Sequence, residues 1–269
     1  MPALTLNDGG VPDGLWVRRI GIVRPTRRMV LLHGFTQIGT SWSVVGAELA
    51  ASGIGVLFPD LPGHGNSATV DADLERCADL VADVGRSTAG PSTYVGYSMG
   101  GRVALHLALR HPELVAGLVL IGATAGIDDE HERTKRVAAD DALAEALASE
   151  GVDAFLTRWL NNPLFERLPT ARADIDGRRV NTVAGLTASL RRCGTGTQRP
   201  LWDELAQIHC PTLVLAGEYD AKFIEIGQRL ASSIGANATS VTVAGAGHAA
   251  HLEQPASVTR HLLSFADSW

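Results

Sequence analysis

Lysine is nearly absent from this 269-residue chain: Lys135 and Lys222 stand against 21 arginines, and the formal net charge is −6. A net-negative chain lacks the broad cationic surface that nucleic acid requires, so nucleic acid is not expected as a partner. The arginine excess favours planar, forked contacts to anions, although a GC-rich coding sequence would produce the same skew. Cysteine is scarce and odd in number: Cys77, Cys193 and Cys210 have no metal-like spacing and read as reduced thiols rather than a disulfide framework. No apolar run approaches the roughly 18 residues of a membrane span, and the opening Met1–Asp8 has no basic segment followed by an apolar one. A cytoplasmic protein is therefore expected. There is no internal repeat and no low-complexity tract. No motif calls for a metal, nucleotide or flavin, so no cofactor is expected.

What the chain does have is an ordinary globular composition, 45% apolar and 19% charged, with enough length for a sizeable core. Short apolar runs recur at Leu15–Val23 (closed by Pro25), Met29–Leu32, Gly55–Phe58, Ser92–Gly96, Leu114–Ile121, Thr212–Gly217 and Thr239–Val243. Between several of them lie segments of helical period, such as Leu74, Cys77, Leu80, Val81 and Val84. Strands alternating with helices predict an α/β fold, a mostly parallel twisted sheet covered on both faces. The rhythm breaks between about Gly122 and Pro200, where Glu130–Glu150, Val152–Leu160 and Val183–Arg192 read as helices and no convincing strand occurs. Residues 1–122 and 201–269 are therefore expected to form the core. Residues 123–200 are expected to form a helical cap inserted over the carboxyl edge of the sheet, where such sheets bind ligands.

Gly96-Tyr97-Ser98-Met99-Gly100 follows one of these strands and opens a helix. The G-x-S-x-G spacing fits a sharp strand-to-helix turn that lifts a serine off the sheet and leaves no room for neighbouring Cβ atoms. A serine hydroxyl needs a neighbouring base to become reactive. Asp220 follows the strand 212–217, and His248 sits in Gly245-Ala246-Gly247-His248 after the last strand. An aspartate after a strand is often a helix cap, and a histidine in a glycine loop is often a surface residue. In the order Ser, Asp, His at three strand ends, they instead predict a triad of Ser98, Asp220 and His248. Glu218 and His251 are weaker alternatives for the acid and the base. Backbone N–H groups of Phe35 and Met99 could converge as an oxyanion hole. His33 and His64, in tight loops, read as structural.

The HGF turn at 33–35, DLPGHGNS at 60–67, GYSMGGR at 96–102, GEYD at 217–220 and GAGH at 245–248 resemble the α/β-hydrolase superfamily over almost the whole chain. A narrower set is similar to 2-succinyl-6-hydroxy-2,4-cyclohexadiene-1-carboxylate synthase of menaquinone biosynthesis. It comprises GYSMGGRVAL, RWLNNPLF, Asn181–Arg191 with its SLR, GTGTQRPLW, GEYDAKF and GHAAHLEQP. That resemblance implies a lyase that uses the triad to abstract a proton and eliminate pyruvate from a small polycarboxylate. It further implies substrate contacts from Tyr97, Arg102, Arg133 and Arg178, with Trp159 lining the pocket. The register leaves Arg178 and Arg179 interchangeable, and Arg191 is a further candidate. Gln37, Ile38 and the doubled Arg191-Arg192 depart from the family pattern without removing a catalytic group.

Two other readings use the same residues. Ser98 could form an acyl-enzyme, making the protein a carboxylesterase, thioesterase or carbon–carbon bond hydrolase. A non-catalytic binder of the same fold has no need of the complete triad.

Overall fold

The computed structural model describes residues 7–10, 14–21, 27–88 and 90–267. Val23 and Pro25, expected to end the early strand, and the opening residues 1–6 lie outside them. The elements run β1 (Asn7–Gly10), β2 (Trp16–Ile20), β3 (Arg28–Leu32), α1 (Ser43–Ala51), β4 (Gly55–Pro59), α2 (Leu74–Arg86), β5 (Ser92–Tyr97), α3 (Met99–Arg110) and β6 (Val115–Ile121). They continue with α4 (Glu130–Leu160), α5 (Ile175–Arg179), α6 (Val183–Cys193), β7 (Thr212–Gly217), α7 (Ala221–Ile234), β8 (Ala238–Val243), α8 (Ala250–Glu253) and α9 (Pro255–Ala266).

The strands form one eight-stranded sheet in the order β1-β2-β4-β3-β5-β6-β7-β8. β1–β2 and β2–β4 are antiparallel, and every later pair is parallel. Side chains alternate between the two faces of a strand, and β6 divides accordingly. Leu118 and Leu120 pack in one buried cluster with α2, α3 and α7; Val119 and Ile121 pack in another with α1 and α9. Each leucine so buried contributes about 1.5–3 kcal/mol. Because β3, β5, β6, β7 and β8 are parallel, their carboxyl ends share one edge, and the turns carrying Phe35, Ser98, Asp220 and His248 all leave from it.

Between β6 and β7 the chain is helical, with no strand among the described residues. α4 is broken at Gly151 (φ 78°, ψ 173°), a backbone conformation that suits glycine, so its two arms change direction there. Asp129 caps its start by accepting from the Glu132 N–H. Ala144, Leu147 and Phe155 of α4 pack against Leu186 and Leu190 of α6 as a third buried cluster, to which Trp159 and Phe35 add partly buried edges. Phe35, from the sheet edge, thereby touches the helices above it.

Candidate active site

Ser98 follows β5 and precedes α3 at φ 49° and ψ −108°, one of three non-glycine residues with positive φ among the described residues. The turn is held by close approach. A Cβ on Gly96 would meet the backbone of Gly100 and Gly101, and one on Gly100 would meet the carbonyls of Leu32 and His33. The Ser98 N–H donates to the Ile121 carbonyl at 2.8 Å, tying the elbow to the neighbouring strand.

His248 lines the same cleft as this serine. Its Nδ1 is 2.6 Å from Asp220 Oδ2, and both side chains are buried. Asp220 also caps α7, accepting from the Phe223 N–H at 3.4 Å through Oδ1, so the helix fixes the carboxylate that orients the imidazole. The His248 loop has a brace of its own. Buried Glu253 accepts from the Gly247 N–H at 2.5 Å and the Ala249 N–H at 2.9 Å, holding the backbone on both sides of His248. Glu218 is exposed and accepts from the Gly245 N–H at 2.8 Å, so it shapes the loop without reaching His248. His251 is buried with its ring 4.3 Å from both Trp42 and Tyr97, and burial holds its pKa well below the usual value.

Met99 opens α3, where an N–H has no carbonyl one turn back to bond. Phe35 lies in the turn after β3, and Leu32 of β3 pairs with Gly96 of β5. The two turns therefore leave adjacent strands side by side, and both residues line the cleft. His33 accepts from the Leu61 N–H at 2.9 Å, and His64 from the Thr36 N–H at 3.3 Å. Burial lowers their pKa values to about 4 and about 3, which fits neutral rings that knit loops together.

The cleft encloses about 920 Å³, with the open space at its mouth included. Tyr97, Arg102, Trp159 and Arg178 line it with Ser98 and His248. Tyr97 is buried, and desolvation pushes its phenol above the usual range. Arg102 is 7% exposed, and its Nη1 has no hydrogen-bond partner within the protein among the described residues. Burial lowers its pKa to about 10, which leaves it charged at neutral pH. Arg178 is more deeply buried, at 1% exposed, and burial lowers its pKa to about 10 as well; its Nε donates to the Ala173 carbonyl at 2.7 Å and its Nη1 to the Thr36 hydroxyl. Arg179 points the other way, exposed and paired with Asp153 and Asp176, which decides the register between the two.

Arg133 is not brought to the cleft. Its Nη1 turns back to the carbonyls of Ile127 and Asp128, at 3.1 and 3.0 Å, at the start of α4. Arg136, three residues on, lines the cleft instead, with Asp140 beside it. Arg191 pairs with Asp141 at 3.4 Å and is likewise absent from the wall. Sequence reasoning missed Arg136, Asp140, Lys222 and the Glu253 brace. The spacing of Arg133, Arg136 and Asp140 on a helix put all three near one face, but did not say which guanidinium would be captured by the helix start.

Residues 29–261 match the model of an α/β hydrolase family, and the chain belongs to that family. Within it the chain is a member of the 2-succinyl-6-hydroxy-2,4-cyclohexadiene-1-carboxylate synthase group. The synthase of that name from Enterobacter sp. (strain 638) is 34% identical over 234 residues, covering 86% of this chain and 88% of the relative. A Bacillus subtilis (strain 168) chain, whose name gives the same synthase provisionally, is 35% identical over 240 residues, covering 84% and 85%. The solved structure of MenH from S. aureus superposes with a TM-score of 0.85 at 29% identity, covering 99% of this chain and 98% of that one.

Proposed function

We propose that this protein eliminates pyruvate from 2-succinyl-5-enolpyruvyl-6-hydroxy-3-cyclohexene-1-carboxylate, the step of menaquinone biosynthesis that its relatives are named for. The observation that carries the reading is the sharing of one cleft by Ser98, His248 and three arginines, of which Arg102 is buried with an unsatisfied guanidinium nitrogen. A hydrolase of neutral esters has no use for such a group. A polycarboxylate does, because its several carboxylates can pair with guanidinium groups gathered on one wall.

In this reading Asp220 holds the Nδ1–H of His248, which leaves Nε2 to take the Ser98 proton. Ser98 then removes a proton from the substrate ring. The electron pair left behind shifts through the ring, and the C–O bond to the enolpyruvyl group breaks with its electrons on oxygen. The departing enolate takes up a proton and becomes pyruvate. N–H groups of Phe35 and Met99 stabilise the charge that develops, and Arg102, Arg136 and Arg178 hold the carboxylates. Residues 123–200 act as the cap over this cleft, supplying Arg136, Trp159 and Arg178 to a core formed by 1–122 and 201–269. A small anionic substrate met in the cytoplasm fits this reading, as do the unpaired Cys77, Cys193 and Cys210. No helix among the described residues is long and apolar enough to cross a membrane.

The test offers purified protein the enolpyruvyl substrate and, separately, nitrophenyl esters and thioesters. Pyruvate release with only trace ester turnover is expected. Efficient ester hydrolysis without pyruvate would replace this reading with an acyl-enzyme on Ser98.

A further inference from the structure

The turn that carries the Phe35 N–H is held in an unfavourable shape by groups outside it. The Gln37 N–H donates to the Gly34 carbonyl at 3.1 Å, closing a four-residue turn whose third residue, Thr36, has φ 66°. Glycine or asparagine ordinarily fills such a position, and a β-branched side chain is strained there. Strain of this kind persists only where the surroundings over-determine it. Thr36 is fully buried, and each of its polar groups is engaged. Its N–H donates to His64 Nε2 at 3.3 Å, its hydroxyl accepts from Arg178 Nη1, and its carbonyl accepts from Asn181 Nδ2 at 2.8 Å. Asn181 is itself buried, and it is not among the residues that line the cleft. Its Nδ2 also donates to the Arg178 carbonyl at 2.9 Å, and its Oδ1 accepts from the Gly65 N–H at 2.9 Å. One amide therefore joins the residue after Phe35, the backbone of Arg178 and the loop after β4.

We propose that Asn181 is a positioning residue: it holds Thr36 in its left-handed conformation, and so aims the Phe35 N–H, with the same amide that anchors Arg178. Once the Asn181 donor is gone, Thr36 can relax toward negative φ. That relaxation rotates the Phe35–Thr36 peptide and shifts the neighbouring Phe35 N–H. The inference rests on the proposed use of that N–H as an oxyanion donor. It deepens the proposed reaction by giving one support to two of its parts, the arginine that holds a carboxylate and the turn that stabilises developing charge. Misplacement by about an ångström at such a point costs on the order of 100-fold in rate.

The test compares Asn181→Asp with the parent on two substrates: the enolpyruvyl polycarboxylate and a neutral nitrophenyl ester, whose trace turnover needs the oxyanion donors but no arginine. Aspartate keeps the shape and the acceptor for Gly65, and has no donor for either carbonyl. In protein whose circular dichroism matches the parent, kcat should fall about 10- to 100-fold on both substrates, with KM for the ester little changed. Unchanged kcat overturns the proposal. A loss confined to the polycarboxylate would mean that Asn181 acts through Arg178 alone, which also overturns it. The strain supplies a second arm. Glycine adopts a positive φ without support, so Thr36→Gly placed in the Asn181→Asp chain should recover most of the lost ester kcat, measured against Thr36→Gly alone as a double-mutant cycle. General loosening of the fold would instead make the two losses additive, and additive losses overturn the proposal. Asn181→Ser, which introduces no charge, goes through the same cycle if the aspartate variant does not fold. If the protein releases no pyruvate while the ester arm behaves as expected, the lyase reading fails and this one stands.

Discussion

Glu253 offers the sharpest test of how the candidate base is held. Its two carboxylate oxygens each accept one backbone N–H, from Gly247 at 2.5 Å and from Ala249 at 2.9 Å, on either side of His248. Glu253→Gln changes no shape but leaves one oxygen for two donors, and the new amide N–H₂ must face an N–H. One charge-assisted bond is lost and one buried donor is left alone. Charge-assisted bonds are worth about 1.5–3 kcal/mol, so the whole change should cost about 2–4 kcal/mol. For a chain of this size that is a fall of about 5–15 °C in the melting midpoint. The functional effect should be separable from the stability effect. A loop displaced by about an ångström at the base costs on the order of 100-fold in kcat, whereas KM should move little because no arginine is touched. Differential scanning calorimetry and pyruvate release at a temperature where the variant is fully folded give the two numbers. A variant that melts within a degree of the parent and keeps its kcat would show that the brace is incidental to His248.

Further outcomes are expected elsewhere. Arg102→Ala and Arg136→Ala should each reduce kcat/KM for the polyanionic substrate by about 10²-fold or more while hardly changing hydrolysis of a neutral ester. Arg133→Ala should leave both activities near wild type, and an Arg133 variant as crippled as Arg136→Ala would return the carboxylate contact to Arg133. Stability should fall as pH drops below about 6.5. Burial depresses His33, His64 and His106 to about 4, 3 and 4, so the unfolded chain takes up protons that the folded chain refuses. Each such imidazole steepens the loss by about 1.4 kcal/mol per pH unit between its two pKa values. His106 makes no side-chain hydrogen bond among the described residues, so His106→Leu should shallow this acid slope in urea titrations at pH 4.5–6.5. An unchanged slope would remove His106 from the account.

The placing of Ser98, Asp220 and His248 at one sheet edge was legible in the sequence because the candidate site is carried by short backbone signatures. Gly96 and Gly100 announce a turn that only close-packed backbone requires, and Asp220 and His248 follow apolar strands that must end at one sheet edge. The helices at 130–150, 152–160 and 183–192 were legible from their helical character, with Gly151 between the first two, whereas α5 was not. Which arginine enters the cleft was not. Arg133 and Arg136 differ by three residues on one helix, and their fates are decided by the free carbonyls of Ile127 and Asp128 and by the buried carboxylate of Asp140. Those are tertiary facts with no periodic trace. Glu253 escaped notice because an acid in a four-residue helix reads as a solvated face, and only the fold of the His248 loop turns it inward. Cys77 and Cys193 also come together unannounced, their sulfurs 3.7 Å apart across 116 residues, as thiols packed where α6 meets α2.

The left-handed backbone at Ser98 sets durability against chemistry at a single position. A serine held at φ 49° stores conformational energy of about 1–3 kcal/mol that glycine would not. Ser98→Ala removes the hydroxyl and keeps the burden, whereas Ser98→Gly removes both, and the glycine variant should melt above the alanine one. Screening this protein for heat tolerance alone would therefore favour the loss of the residue on which its proposed reaction depends. A thermostabilised form is better sought at the cap and the outer helices, with the elbow left under tension.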